Sequence, residues 1–375
     1  MKLLFILGSR GEWGYIKPII DICKKKKIQY SICATNMILL PNYGSLIKEI
    51  KKDYKVTDEI YMALEGSNHH AMSKSLGVFL SSFVDVLKRE NPTWIVLAGD
   101  RGEQLMGAVA GAYTYTPVAH IQAGERSGNI DGVARHSLSK LAHLHFASNQ
   151  DAAKRLLKSG EEKFRIFNVG APQIDDMKKI LLKDDFIKKS LNIETKEPFI
   201  LAVFHPVTEE FGLIENQVDV LLSSLSKVDM NKIWILPNID AGSDLIRKKI
   251  IEKRNSDTLI YKNLSREIYL TLLKRSKLLI GNSSSGILEA PTYFTPAINI
   301  GRRQKDRIQA KNVINTSFRE NEIIKSIKKA LSPKFVKECK TEKNPYGDGK
   351  SSEKIVKILS NTIIDSKILI KNITY

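Results

Sequence analysis

The residues best suited to acid–base chemistry are concentrated in one glycine-rich segment, residues 120–132, which reads HIQAGERSGNIDG. It contains Gln122, Glu125 and Asp131, and it follows an apolar run typical of a buried strand. Loops in such positions commonly carry proton donors and acceptors. A purely structural turn would not need so many ionisable groups, although Glu125 or Asp131 could individually cap a helix.

Two other segments are suited to binding phosphate, because each joins a predicted strand to a predicted helix, where backbone N–H groups and the helix dipole attract anions. In the first, residues 8–14, a structural turn with Arg10 on the surface explains the pattern equally well. In the second, residues 281–286, a multiply capped helix is the weaker explanation, because the serine run exceeds what a cap requires. Glu289 could then hydrogen-bond a ribose, and Arg303 adds a guanidinium suited to phosphate.

Three further polar positions also follow predicted strands. Asp100 and Arg101 end one strand, where helix capping by Asp100 is on its own the better explanation. His205, fixed by Pro206, ends another, and this position favours a catalytic or phosphate-facing role. Asn238 lies in a loop that an ordinary polar turn explains at least as well.

Strand-like apolar runs alternate with amphipathic stretches along the chain, which predicts parallel sheets covered by helices on both faces. We predict an α/β protein with two doubly wound, Rossmann-like domains, 1–175 and 195–350, facing across a central cleft, and a C-terminal helix in 351–375 that could cross back to the first domain. Predicted strands cover 2–7, 30–34, 94–98, 117–121, 166–169, 199–204, 232–236, 258–261, 278–280 and 296–300. Predicted helices cover 15–27, 71–89, 103–113, 133–142, 149–159, 215–225, 243–254, 265–274, 286–290, 321–331 and 352–369.

Composition narrows the possible partners. The 375 residues carry a net charge of +18, but the lysines are scattered. The sequence has no basic stripe with interleaved aromatic residues, which a nucleic-acid groove would need. An anionic small substrate fits the charge as well as a solvated lysine surface does. No apolar run is long enough to span a bilayer, and three cysteines without metal or redox spacing predict free thiols in the cytoplasm.

Taken in order, these segments resemble the hydrolysing UDP-N-acetylglucosamine 2-epimerases of sialic acid synthesis. The match extends over nearly the whole chain, and its specificity lies in the ordered combination of modest motifs. The resemblance implies the GT-B fold. The matching positions are Arg10, Gly-Asp-Arg at 99–101, His-Ile-Gln-Ala-Gly-Glu at 120–125, Asp131, Arg135-His136, His-Pro-Val-Thr at 205–208, Pro-Asn-Ile-Asp-Ala-Gly-Ser at 237–243 and Gly-Asn-Ser-Ser at 281–284.

The resemblance also implies a reaction. A base removes the C2 proton of the sugar while the nucleoside diphosphate leaves C1, and water adds to the resulting glycal to give the free 2-epimer. Asp100 and Asp131 are the leading acid–base pair, with Glu125, His205 and Gln122 beside them in the catalytic set. The resemblance implies that the diphosphate or nucleotide is bound by Arg10, Arg101, Ser283, Ser284, Glu289 and Arg303. It implies that the sugar is bound by Arg135, His136 and Asn238.

One departure bears on the substrate. Many relatives that act on UDP-N-acetylglucosamine carry Glu where this chain has Gln122, and Gln cannot act as a base. A sister branch acts on N,N′-diacetylbacillosamine linked to UDP or GDP and feeds legionaminic acid synthesis. The residues of this loop resemble that branch more closely. We expect no cofactor or metal, and a homodimer or homotetramer. A GT-B glycosyltransferase, a non-hydrolysing epimerase and a non-enzymatic nucleotide-sugar binder remain alternatives.

Overall fold

The computed structural model describes residues 1–43, 46–64, 68–128, 130–177, 179–191, 193 and 197–374. The chain divides into two compact units. Unit 1 comprises Met1–Arg126, Ile130–Asp176 and Tyr346–Tyr375, and unit 2 comprises Ser127–Asn129 and Met177–Pro345.

Unit 1 is built on a parallel sheet of seven strands. The strands are β1 (Lys2–Leu7), β2 (Gln29–Thr35), β3 (Val56–Ile60), β4 (Trp94–Ala98), β5 (Val118–Ile121), β6 (Leu144–Ala147) and β7 (Ile166–Asn168). They lie in the order β3-β2-β1-β4-β5-β6-β7, and Phe5 of β1 pairs with Ile32 on one side and Val96 on the other. The chain reverses its direction of progress across the sheet at β1 and β4, which is where ligands bind in open α/β folds.

Helices cover both faces of this sheet, because successive side chains of a strand point to opposite faces. Leu3 and Phe5 pack in a cluster with Ile16, whereas Leu4 and Ile6 pack in a separate cluster with Phe79. The helices of unit 1 are α1 (Arg10–Lys25), α2 (Leu46–Asp53), α3 (His69–Glu90), α4 (Gly102–Tyr113), α5 (Ile130–Leu141) and α6 (Gln150–Lys158), together with two near the end of the chain, Ser351–Asn361 and Ser366–Leu369.

Unit 2 repeats the architecture with a parallel sheet of six strands. The strands are β8 (Phe199–Val203), β9 (Asn231–Ile235), β10 (Thr258–Tyr261), β11 (Leu278–Gly281), β12 (Ala297–Ile300) and β13 (Val313–Thr316), in the order β10-β9-β8-β11-β12-β13. Its helices are α7 (Asp184–Leu191), α8 (Ile214–Ser226), α9 (Ser243–Glu252), α10 (Arg266–Arg275), α11 (Ser285–Leu288), α12 (Ala290–Tyr293), α13 (Glu320–Ala330) and α14 (Pro333–Glu338). The two helices near the end of the chain are therefore α15 (Ser351–Asn361) and α16 (Ser366–Leu369).

The predicted fold class, two doubly wound parallel α/β domains, is confirmed, and the differences are local. The single closing helix predicted for 352–369 is wrong: α15 ends at Asn361, and Asp365 caps a separate α16 by accepting from the Ile368 N–H at 3.1 Å. Strands β3, β6 and β13 were not predicted, because polar residues interrupt their apolar pattern. No helix in the described ranges combines the length and apolar character needed to cross a bilayer.

Gly281 at the end of β11 is required by its backbone, because its φ of +135° is a region that L side chains rarely adopt. A Cβ there would also overlap the Val203 carbonyl oxygen of β8. We expect Gly281→Ala to lower the free energy of unfolding by at least about 2 kcal/mol, measured by denaturant titration. Gly212→Ala in the same unit, where nothing lies within 4 Å of the added methyl, is the control and should change stability little. Equal effects of the two variants would contradict this account.

Candidate active site

The turn after β1 is fixed by a capping box at the start of α1. The Ser9 side chain accepts from the Glu12 N–H at 3.3 Å, and the Glu12 carboxylate accepts from the N–H groups of Ser9 (2.9 Å) and Gly8 (2.5 Å). These bonds satisfy donors at the helix start that would otherwise be unpaired. They place Arg10 as the first residue of α1, at the carboxyl edge of the sheet. The helix thus begins five residues earlier than predicted, because this cap was not recognised.

A second buried carboxylate, Glu103 in the first turn of α4, lies beside Glu12 and was not predicted as part of the site. It accepts from Asn36 Nδ2 at 3.2 Å and from Arg101 Nε at 3.1 Å, and so orients the Arg101 guanidinium. Gly8 makes room for it, since a Cβ at that position would overlap Glu103 Oε1. Burial, reinforced by the charge of Glu103, raises the pKa of Glu12 to about 8. The Ser-x-x-Glu spacing at 9–12 is a capping-box signal that could have placed Glu12, but it does not point to Glu103.

Arg135 of α5 joins the loops that follow β4 and β5. Its guanidinium pairs with the Asp100 carboxylate, and its Nη1 donates to the Gln122 carbonyl at 2.9 Å. Arg135 is only 2% exposed, so this is a buried positive charge, and its partner Asp100 is partly exposed. Asp100 does not cap α4: the N-cap residue is Arg101, which makes no side-chain cap hydrogen bond. The structure thus brings Asp100, Gln122 and Arg135 together, at the point where the sheet order reverses.

His120, in β5, fixes the loop on which Asp100 lies. Its Nε2 is 2.7 Å from the Gly99 carbonyl oxygen, and this contact requires Nε2 to carry the proton. Burial lowers the pKa of His120 to about 3, so the ring is neutral at physiological pH. His120 therefore acts as a fixed hydrogen-bond donor to the backbone and not as a titrating acid or base.

Gln122 and Glu125 have different environments within the same loop. Gln122 adopts a left-handed backbone (φ 60°), is 1% exposed, and its Nε2 has no hydrogen-bond partner among the described residues. Such a backbone is uncommon for Gln and is a form of strain often found at functional sites. Glu125 is also buried, and its carboxylate accepts from Ser148 and from Asn149, the residue that caps α6. Glu125 is thus part of the framework that holds α6.

The start of α5 carries the two remaining predicted residues of this unit. Asp131 is half-buried in the first turn of the helix, where a negative charge is favourable. It lies four residues before Arg135 and so on the same face. His136 is exposed one position further along.

In unit 2, His205 is held by its neighbours after β8. The His205 N–H donates to Asn282 Oδ1 and Asn282 Nδ2 donates to the His205 carbonyl, both at 2.8 Å. The Asn238 N–H donates to His205 Nδ1 at 3.4 Å, which places the proton of the neutral ring on Nε2. Only the backbone of Asn238 makes this contact; its buried Oδ1 has no partner among the described atoms. These bonds join the ends of β8, β9 and β11.

The serine-rich turn after β11 continues this site. Ser283 and Ser284 are half-buried, and Ser283 Oγ accepts from the Ser285 N–H at 3.3 Å. Burial raises the pKa of the Glu289 carboxyl, an effect that Arg266 partly offsets. Arg303, after β12, donates through Nη1 to the Asn282 carbonyl at 3.3 Å. Unit 2 therefore presents amide, hydroxyl and guanidinium donors along one edge of its sheet, a set suited to an anion.

No group of three or more His, Cys, Asp or Glu side chains in the described part of the chain is arranged to hold a metal ion. Fold and sites together define a two-domain α/β protein of the Rossmann type, with one polar site at the carboxyl edge of each sheet.

The chain belongs to the UDP-N-acetylglucosamine 2-epimerase family, whose family model matches residues 21–360. This confirms the resemblance drawn from the ordered motifs. The chain is 33% identical over 374 residues to the UDP-N,N′-diacetylbacillosamine 2-epimerase (hydrolyzing) of Legionella pneumophila, covering 99% of this chain and 98% of that protein. It is 34% identical over 380 residues to the GDP/UDP-N,N′-diacetylbacillosamine 2-epimerase (hydrolyzing) of Campylobacter jejuni, covering 99% of this chain and 98% of that one.

Among solved structures, the chain is similar to UDP-GlcNAc 2-epimerase from Neisseria meningitidis bound to UDP-GlcNAc. The TM-score is 0.82 at 20% sequence identity, and the match covers 96% of this chain and 100% of that one. At this identity the likeness concerns the fold, and it confirms the predicted GT-B type.

Because the pKa of Glu12 lies near 8 in the folded chain and near 4.5 when unfolded, the folded state retains the Glu12 proton up to a higher pH than the unfolded state. The stability of the wild type should therefore fall as pH rises from about 4.5 to about 8. Glu12→Gln keeps the shape of the side chain and cannot ionise. Its melting temperature, measured by differential scanning fluorimetry, should therefore rise relative to that of the wild type as pH increases from 5.5 to 8.5. Glu49→Gln, at an exposed position of α2, is the control and should keep the wild-type pH dependence. Parallel curves for wild type and Glu12→Gln would show that Glu12 ionises normally.

Proposed function

We propose that this protein is a hydrolysing nucleotide-sugar 2-epimerase. The observation that carries the proposal is the buried Arg135 bridge between Asp100 and the Gln122 carbonyl, in a chain that aligns end to end with two relatives named as hydrolysing 2-epimerases. This bridge holds the Asp100 carboxylate in place at the sheet edge, and proton abstraction from a weakly acidic carbon requires a positioned base.

In the proposed reaction, a carboxylate accepts the C2 proton and the C1–O bond breaks, so that its electron pair leaves with the nucleoside diphosphate. The resulting C1–C2 double bond is a glycal. Water then adds its oxygen to C1, and a proton returns to C2 on the opposite face, which gives the free 2-epimer. Asp100 and Asp131 are the proposed acid–base pair, because Glu125 is committed to Ser148 and Asn149 and Gln122 cannot ionise.

The departing diphosphate requires positive charge and N–H donors. Arg10 and Arg101 supply guanidinium groups in unit 1, and Ser283, Ser284 and Arg303 supply donors in unit 2. His205 is proposed to donate from Nε2, since its Nδ1 accepts from the Asn238 N–H. We assign Glu289 to the ribose, and His136 and Asn238 to the sugar. Arg135, also expected to contact the sugar, is proposed to act mainly by holding Asp100.

We propose a UDP- or GDP-linked sugar with acetamido groups at C2 and C4, N,N′-diacetylbacillosamine, as the substrate, with N-acetylglucosamine as the second candidate. The names of the Legionella and Campylobacter relatives support the first. The buried Gln122 amide suits either candidate, because an unpaired N–H donor fits a neutral acceptor such as the acetamido carbonyl that both sugars carry. The product would serve legionaminic or sialic acid synthesis. We place the enzyme in the cytoplasm, which its three buried free thiols support, as a homodimer or homotetramer.

The proposed reaction can be tested without an acceptor, in deuterated water. The protein is incubated separately with UDP-N-acetylglucosamine, UDP-diacetylbacillosamine and GDP-diacetylbacillosamine, and the products are followed by NMR. We expect nucleoside diphosphate and a free manno-configured sugar carrying deuterium at C2. Deuterium at C2 without release of the diphosphate would indicate a non-hydrolysing epimerase instead. Unchanged substrate in all three tubes would contradict epimerase function and leave a glycosyltransferase, which needs an acceptor, or a binding protein.

The acid–base assignment predicts that Asp100→Asn and Asp131→Asn each reduce kcat by about 10²- to 10⁴-fold, the range typical of a lost general acid or base. Steady-state kinetics on the substrate found above measure this, and circular dichroism checks folding. Asp151→Asn, at an exposed position of α6, is the matched control and should leave kcat unchanged. A normal rate in either active-site variant removes that aspartate from the mechanism.

A further inference from the structure

The segment after α15 belongs to unit 1 and is held in place by Arg165, a fully buried arginine. In sequence, this segment is distant from the proposed site residues of unit 1. Arg165 donates to the carbonyl oxygens of Ile368 and Ile370, both at 2.8 Å, and of Lys367 at 2.7 Å. The Thr374 N–H donates to the Gly160 carbonyl at 2.9 Å. We refer to residues 365–374 as the latch segment.

Lys371 of the latch segment occupies the C-terminal end of α5. Its Nζ donates to the carbonyl oxygens of Ser139 (2.5 Å), Lys140 (3.1 Å) and Ala142 (2.8 Å). The last carbonyl groups of a helix have no partners within the helix, and a cation there is favourable because it opposes the negative end of the helix dipole. Lys371 thus supplies the C-terminal cap of α5 from a segment more than two hundred residues away.

The charge of Lys371 is compensated by a buried carboxylate. Glu161 lies 2.6 Å from Lys371 Nζ, is itself unexposed, and is also bonded to His145 Nε2 at 2.8 Å. Burial alone would raise the pKa of Glu161, but His145 and Lys371 outweigh it and hold the pKa at about 2. Burial lowers the pKa of Lys371 to about 8, against the opposing effect of Glu161. A buried lysine with four acceptors makes a specific, directional contact. Losing it would remove this partner from the helix carbonyls and would leave Glu161 with Lys140 (3.0 Å) and His145 (2.8 Å) as its remaining partners.

The other end of α5 carries Asp131 and Arg135, and the helix connects them to the capped end. Ser139, whose carbonyl Lys371 binds, donates through Oγ to the Arg135 carbonyl at 3.0 Å. The same Oγ lies 3.5 Å from His120 Nδ1, and His120 holds Gly99 next to Asp100. A shift in the last turn of α5 would therefore act on both proposed acid–base residues.

We propose that Lys371 is a positioning residue for catalysis, which fixes α5 and through it Asp131 and the Arg135–Asp100 pair. This inference rests on the proposed function, because it assumes that α5 carries the chemistry. Lys371 itself touches no proposed substrate group. Its loss should therefore reduce the rate of the chemical step and leave nucleotide binding, which we assign mainly to unit 2, largely intact.

The test compares Lys371→Met with the wild type and with Lys367→Met, a control in the same segment whose exposed side chain lies over Phe164. For Lys371→Met we expect kcat to fall about tenfold or more, KM to stay within about twofold, and the Kd for UDP to be unchanged by calorimetry. Lys367→Met should match the wild type. Wild-type kcat in Lys371→Met, or a loss of UDP affinity and thermal stability in proportion to activity, would overturn the proposal.

Hydrogen exchange followed by mass spectrometry supplies a readout that does not depend on activity. Peptides covering residues 130–142 should exchange faster in Lys371→Met, while peptides of unit 2 should not change. Unchanged exchange in α5 would overturn the proposal. If the wild type turned over no nucleotide sugar, the proposed function would fail, yet faster exchange in α5 would still show that Lys371 anchors the helix.

Lys371→Arg is the second variant, since it keeps the charge and the N–H donors. We expect wild-type exchange in α5 and kcat within about threefold of the wild type. A tenfold loss of kcat with α5 still protected would contradict the positioning role. If Lys371→Met is not recovered folded, Lys371→Gln is measured in the same way, since it keeps two donors without the charge. Wild-type kcat together with faster exchange in α5 would then count against the proposal.

Discussion

A buried guanidinium requires a counter-charge and several acceptors, and Arg135 meets this requirement with a carboxylate from one loop and a backbone carbonyl from another. Removing one partner of a buried ion pair typically destabilises a protein by several kcal/mol. The ends of β4 and β5 are thereby held in register with α5. The same interaction positions the Asp100 carboxylate, so the constraint that stabilises the loops also orients a group proposed to carry their chemistry.

The two units fix the loops at the carboxyl edges of their sheets with different kinds of contact. Unit 1 fixes its sheet edge with buried ionisable groups, including Glu12, Glu103 and Arg135, whereas unit 2 uses amide pairing between His205 and Asn282. Charged groups are sensitive to pH and to the presence of a partner, while amide pairs are not. This difference fits a division of work in which proton transfer belongs to unit 1 and recognition of the nucleotide to unit 2.

The sequence was sufficient to predict the fold class and the positions of most loops, because strand-like apolar runs and the residues that follow them are local features. It also identified Asp100, Gln122 and Arg135, although not their contacts. The partnership of Glu12 with Glu103, and of Lys371 with the end of α5, could not be predicted, since each joins residues that are distant in sequence. Strands β3, β6 and β13 were missed because polar residues interrupt their hydrophobic pattern, which makes them hard to distinguish from loops.

The space that Gly8 leaves for the Glu103 carboxylate has an evolutionary consequence. A side chain at position 8 and an extended carboxylate at position 103 would compete for the same volume. A relative that gains a residue larger than glycine at position 8 would have to shorten or redirect the acid at 103, and would then lose the acceptor that orients Arg101. Substitutions at these three positions should therefore be coupled during divergence, so that they change together or remain fixed together.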